Sequence, residues 1–107
     1  MSEKVRRTKF YFTDYVNHAI RFYLSTPEKC PVNGKTAASL NNWMAAQSVI
    51  YKMPDEEKGI LKAVFASKKA VPVNVDTFCQ ETGTDKEKVW DLVVKTVYKV
   101  ARVRGLI

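Results

Sequence analysis

Apolar residues recur along this chain at helical spacing, and nowhere in strong alternation. Val16, Ala19, Ile20, Tyr23 and Leu24 fall on one side of a helical repeat, with Asn17 and Arg21 on the other. Thr13 or Asp14 is placed to cap that helix, which is predicted to run to about Leu24. Phe10, Tyr11 and Phe12 precede it as a segment that docks on the core. Pro27, Pro31 and Gly34 then interrupt the periodicity. A second helix is predicted over about residues 36–52, with Leu40, Trp43, Met44, Gln47, Ile50 and Tyr51 as its face. Pro54 stops it. Asp55, Glu56 and Glu57 open a third helix, where carboxylates suit the helix dipole, and Ile60, Leu61, Val64 and Phe65 form its apolar stripe. Gly59 weakens this helix by about 1 kcal/mol relative to Ala without ending it.

Residues 67–73 form a break. Asn74 reads as the N-cap of a short fourth helix, with Val73 and Phe78 as a hydrophobic staple across it. Gly83 fits the left-handed position that ends this helix, and Thr84 with Glu87 spells a T-x-x-E capping box for the next. The fifth helix is therefore predicted from Asp85 to Arg104, with Gly105 as its stop. Val89, Val93, Val97 and Val100 form its central stripe, flanked by Trp90, Leu92, Val94, Ala101 and Val103. Lys88, Lys95, Lys99 and Arg102 line the opposite face with Asp91. So wide an apolar arc belongs to the central helix of a domain or to a protomer interface. The expected fold is all-α: a compact bundle of about five helices in one domain over residues 1–107. Residues 1–9 form a flexible basic arm, and residues 74–104 form a helix-turn-helix unit. An ordinary helical hairpin would need the same turn residues.

Charge adds a functional direction. Eighteen Lys and Arg against eleven Asp and Glu give a formal +7. Such an excess favours a polyanion, because neutralised phosphates release condensed counterions; a solvated basic surface kept for solubility is the plainer alternative. The hydrophobic fraction of 46% argues against a disordered chain. The start, MSEKVRRTKF, lacks the apolar stretch of a signal peptide, and no window approaches the length of a membrane-spanning helix. Cys30 and Cys79 lack metal-type spacing; a reduced cytoplasmic setting is expected, with a Cys30–Cys79 bridge left open.

The run GTDKEKVWDLVVKTVYKVARVRGLI resembles the recognition-helix region of sigma-factor region 4 and of the small phage regulators of late transcription of the RinA and ArpU type. In those families a Gly-Thr/Ser turn precedes a long basic helix, as Gly83, Thr84, Lys86 and Lys88 stand here. The segments FYFTDYVNHAIRFYL, NWMAAQSVIYKM and ARVRGLI are also similar to small proteins of Firmicutes and their mobile elements. The resemblance implies a DNA-binding transcriptional regulator with duplex DNA as ligand; RNA polymerase is a candidate partner for the apolar face. The Arg-rich recognition turn of the sigma proteins is missing here.

Candidate DNA contacts are Thr84, Lys86, Lys88, Lys95, Lys99 and Arg102, joined by Lys68 and Lys69 before the motif and by Arg6 and Arg7 on the arm. Asp85, Glu87 and Asp91 oppose phosphates at the same turn. The alternative is a helical interaction or phage accessory protein whose apolar face takes a protein partner or a second copy of itself. Catalysis is not expected: His18 is the lone histidine, and no Walker A run or G-x-G-x-x-G is present. No cofactor or metal is implied. Phe10, Tyr11, Phe12, Tyr15, Phe22 and Tyr23 with Arg6, Arg7 and Arg21 could form a stacking platform, but their spacing suits core packing better.

Overall fold

The computed structural model describes residues 12–26, 37–65 and 69–106, and all the secondary structure among them is helical. Five helices follow in order: α1 Thr13–Ser25, α2 Ala37–Ile50, α3 Asp55–Phe65, α4 Val71–Thr82 and α5 Lys86–Arg104. Helix α5 is the longest and touches each of the other four, as its wide apolar arc requires. Val89, Leu92, Val93, Val97, Val100 and Ala101 are all buried along it. Thr96 is fully buried in the same row and satisfies its hydroxyl locally, donating to the Leu92 carbonyl at 2.7 Å. The chain folds to a radius of gyration of 13.5 Å.

Helix α1 buries Val16, Ala19, Ile20 and Tyr23, the predicted stripe. Its first residue is Thr13 itself, however, and the N-cap position is Phe12, which makes no side-chain cap hydrogen bond. Burial of the Phe12 ring holds the helix start in place of a polar cap. Asn17 and Arg21, expected on the solvent side, are half-buried. Arg21 Nη2 donates to the Lys69 carbonyl at 2.7 Å, tying α1 to the chain just before α4.

Helix α2 corrects its predicted face. Trp43 and Ile50 are buried, but Met44 is 54% and Tyr51 68% exposed, and Ala45 and Ala46 take the contact positions instead. Alanines allow α1 and α5 to approach the α2 backbone closely, which a larger side chain would prevent. Trp43 packs edge-on to Tyr23, ring centroids 5.3 Å apart, and its indole N–H donates to the Thr26 carbonyl at 3.0 Å. Burial and the nearby Tyr51 raise the Tyr23 phenol above its ordinary range. Helix α3 carries Asp55, Glu56 and Glu57 in its first turn and buries Ile60, Leu61, Val64 and Phe65, both as predicted.

The entry to α4 differs from expectation. The helix starts at Val71, with Ala70 as N-cap and Pro72 within its first two positions, where a missing N–H costs nothing. Asn74 is thus inside the helix, 6% exposed, and is not its N-cap. Its side-chain amide donates to the Val64 carbonyl at 2.7 Å and the Lys69 carbonyl at 3.2 Å, joining the end of α3 to the start of α4. Val73 is exposed, so no Val73–Phe78 staple forms. Gly83 ends α4 at φ 73°, as predicted, and its N–H donates to the Cys79 carbonyl at 2.9 Å. The next cap is Asp85 rather than Thr84: Asp85 Oδ1 accepts from the Glu87 N–H at 3.1 Å. Thr84 is turned back, its hydroxyl sharing a 2.7 Å hydrogen bond with that of Thr82. Gly105, at φ 83°, closes α5.

Candidate nucleic-acid interface

Helices α4 and α5 are joined by the three residues Gly83, Thr84 and Asp85. Phe78 and Cys79 on α4 are half-buried against the core that includes Val89 and Leu92 on α5. The first turns of α5 present Lys86 and Lys88 to solvent, but both have carboxylate partners. Lys86 Nζ lies 2.6 Å from Asp76 Oδ1 on α4, and Lys88 Nζ lies 3.4 Å from Glu56 Oε1 on α3. Glu81, Asp85, Glu87 and Asp91 are exposed around the same end. Acidic residues therefore outnumber the two lysines where α5 begins.

The Cys79 thiol belongs to this end of the molecule. Burial raises it above the usual thiol range, with the Lys86 ammonium pulling in the other direction. It is a free, protonated thiol at neutral pH, and not an activated nucleophile. Cys30, its one conceivable disulfide partner, lies outside the described residues, as do Arg6, Arg7 and Lys68. Lys69 is exposed beyond the last turn of α3, whereas Lys88 pairs with the first turn of the same helix. About 14 Å of helix separates the two, so Lys69 does not join the α5 cluster.

The remaining predicted contacts come together elsewhere. Lys95, Lys99 and Arg102 follow one another along the exposed side of the C-terminal half of α5. Helix α5 runs back along α2: Arg104 Nε reaches Asn42, while Lys95 lies near Met53 and Pro54. A groove of about 770 Å³ opens between these helices and the α2–α3 turn. Lys52, Lys95, Lys99 and Arg102 line it, with Glu57 as the one acidic member. None of the four cations has an ion pair or hydrogen bond among the described residues. Val49, Met53, Pro54 and Val103 provide its apolar surface.

Lys52 is the groove-lining cation that the sequence reading did not include. No local pattern marks Lys52, whereas the α5 part of the groove was readable in charge order: no Asp or Glu follows Asp91, and Lys95, Lys99, Arg102 and Arg104 all do. Positive charge is thus concentrated away from the α4–α5 turn, and Lys52 adds to it from the turn between α2 and α3. Among the described residues no group of His, Cys, Asp and Glu is arranged to hold a metal ion, and no helix is long and apolar enough to cross a membrane. Comparison with family models, with curated proteins and with solved structures finds no match to this chain.

Proposed function

We propose that this protein binds duplex DNA through the C-terminal half of α5 and acts as a transcriptional regulator of the phage or mobile-element type. The observation that carries the reading is the run Lys95, Lys99 and Arg102, whose side chains have no partner among the described residues, with Lys52 beside it, on a chain of formal charge +7. Residues spaced four and three apart on a helix rise about 6 Å and 4.5 Å, so these side chains track a line of negative charge. Phosphate contacts of this kind position a protein without reading bases. The α4–α5 pair, with its left-handed Gly83 and capped α5, suits a helix-turn-helix, which would bring the first turns of α5 to the duplex alongside that run. Its first turn is the weaker part of the interface. Asp76 and Glu56 occupy Lys86 and Lys88, although exposed pairs of this type are worth only about 0–1 kcal/mol and phosphates can compete for them.

The test is fluorescence anisotropy of mixed-sequence duplex DNA across a salt series. Affinity is expected to fall linearly on logarithmic axes. Each of Lys95→Ala, Lys99→Ala and Arg102→Ala should flatten the slope by about one unit, with Lys86→Ala and Lys88→Ala doing less. Absence of binding at the lowest salt would rule out the DNA reading. Strong binding with a slope unchanged in the three α5 variants would place the interface elsewhere.

A further inference from the structure

Duplex DNA presents phosphates, sugars and base edges, and none of these explains the apolar part of the groove. Val49, Met53, Pro54 and Val103 line the groove together with Lys52 and the cations of α5, and Val103 is 56% exposed although it belongs to the longest helix of the core. A ligand complementary to this surface carries carboxylates at its edges and aliphatic side chains between them. We infer that the groove between α2 and α5 is a docking site for an acidic amphipathic helix of a partner protein.

The dimensions and the charge agree with that occupant. Residues 95–103 of α5 extend about 12 Å, the length of two to three helical turns. Helix-in-groove recognition sets the apolar stripe of the bound helix, at i, i+3, i+4 and i+7, against the apolar lining, here Val49, Met53, Pro54 and Val103. Acidic residues beside that stripe then meet Lys52 on one wall and Lys95, Lys99 and Arg102 on the other. Glu57 is the single carboxylate present and sits at the α3 end of the groove, so it disfavours acidic residues there and fixes a direction for the bound helix. Since the same α5 cations serve in the proposed DNA interface, helix and duplex exclude one another; this competition, unlike the docking itself, rests on the DNA reading.

The experiment uses a fluorescein-labelled peptide of Glu and Leu with leucines at i, i+3 and i+4 spacing, and a scrambled peptide of identical composition. The full chain should bind the amphipathic peptide saturably and the scrambled one at least about tenfold more weakly. Val103→Gln, a neutral change at an exposed position that leaves the core intact, should weaken the amphipathic peptide by at least about threefold and leave the far-UV circular dichroism unchanged. Lys99→Ala should weaken both peptides. Equal binding of the two peptides, or indifference to Val103→Gln, would overturn the proposal, because charge alone would then account for capture. It is also overturned if a single-stranded oligonucleotide binds in a Val103-dependent manner while the amphipathic peptide does not. Peptide failure alongside a normal duplex salt slope removes the docking site and leaves the DNA reading standing. Peptide binding without duplex binding supports the docking site and removes only the competition.

Discussion

Arg104 Nε donates to Asn42 Oδ1 over 2.6 Å, joining residues 62 positions apart in the chain. The Tyr15 hydroxyl donates to the same oxygen at 3.1 Å. One amide oxygen therefore fastens α1, α2 and the end of α5, and it holds the C-terminal half of α5 against α2 where the groove begins. Asn42→Ala removes the acceptor for both donors and is expected to cost about 1–2 kcal/mol, lowering Tm by several degrees. Asn42→Asp keeps the oxygen and makes the Arg104 bond charge-assisted, so it should stay close to wild type at neutral pH. Thermal denaturation followed by circular dichroism measures both. Equal losses in the two variants would show that the acceptor is not what matters.

Asn74 offers a sharper test, because its two readings predict opposite rankings. An N-cap tolerates Asp as well as Asn. A buried amide that donates to the Val64 and Lys69 carbonyls cannot be replaced by a carboxylate, which has no hydrogen to donate and would set a negative charge against two carbonyl oxygens. Asn74→Ala is expected to cost about 1–3 kcal/mol through the orphaned carbonyls. Asn74→Asp should cost more than that at neutral pH. If urea denaturation places the Asp variant at or above the Ala variant, the interhelical tie is wrong.

Asn74 also shows where sequence reading stops. Helix number, the apolar stripes of α1, α3 and α5, and both glycine stops were legible because each depends on spacing or on a residue with one conformational use. An Asn ahead of an apolar run looks the same as a cap or as a buried tie; only the third dimension, which puts Val64 within reach, separates them. Helix α2 failed for a related reason. Its small and large apolar residues surround the helix, so periodicity favoured Met44 and Tyr51, whereas close packing selected Ala45 and Ala46. In the candidate site, the α5 ridge was legible as a row of cations, but their pairing was not. Lys86 and Lys88 meet carboxylates from other helices, and Lys52 joins the ridge from 43 positions before Lys95.

Gly83 carries the α4–α5 turn at φ 73°, and a Cβ built there meets nothing within 4 Å. Any cost of substitution is therefore backbone strain, free of steric collision. Gly83→Ala is expected to lose about 1–2 kcal/mol, and Gly83→Asn, which enters the left-handed region more readily, less than Ala. Denaturant midpoints of the two variants check the order. Equal effects would mean that the turn relaxes out of the left-handed conformation.

The Cys79 thiol provides a chemical probe of the same turn. Burial raises its pKa and the Lys86 ammonium lowers it, so removing that cation should raise it further. Alkylation by iodoacetamide at about pH 8 is expected to be slower than that of an unhindered thiol, and slower again in Lys86→Ala. A folded pKa above the unfolded one leaves stability unaffected at neutral pH and reduces it as pH rises past about 8.5, where the unfolded thiol ionises first. Faster alkylation in Lys86→Ala would show that the lysine shields the sulfur more than it stabilises the thiolate.

The carboxylates beside α5 make the final prediction, which separates the two ends of the helix. Glu56 and Asp76 each hold a lysine in an exposed pair, and such pairs contribute little to folding. Glu56→Gln and Asp76→Asn should therefore change stability by less than about 1 kcal/mol each. Their effect on duplex DNA is expected to be larger, since each removes a negative charge from the surface and frees a cation near the α4–α5 turn. Affinity should rise in both variants, and most in the double variant, with a steeper salt dependence as Lys86 and Lys88 join the phosphate contacts. Adding Lys88→Ala to Glu56→Gln should cancel the steepening while leaving the contribution of Lys95, Lys99 and Arg102 intact. A double variant with wild-type affinity and slope would mean that the first turn of α5 stays clear of the duplex, leaving DNA contact to the C-terminal half of the helix.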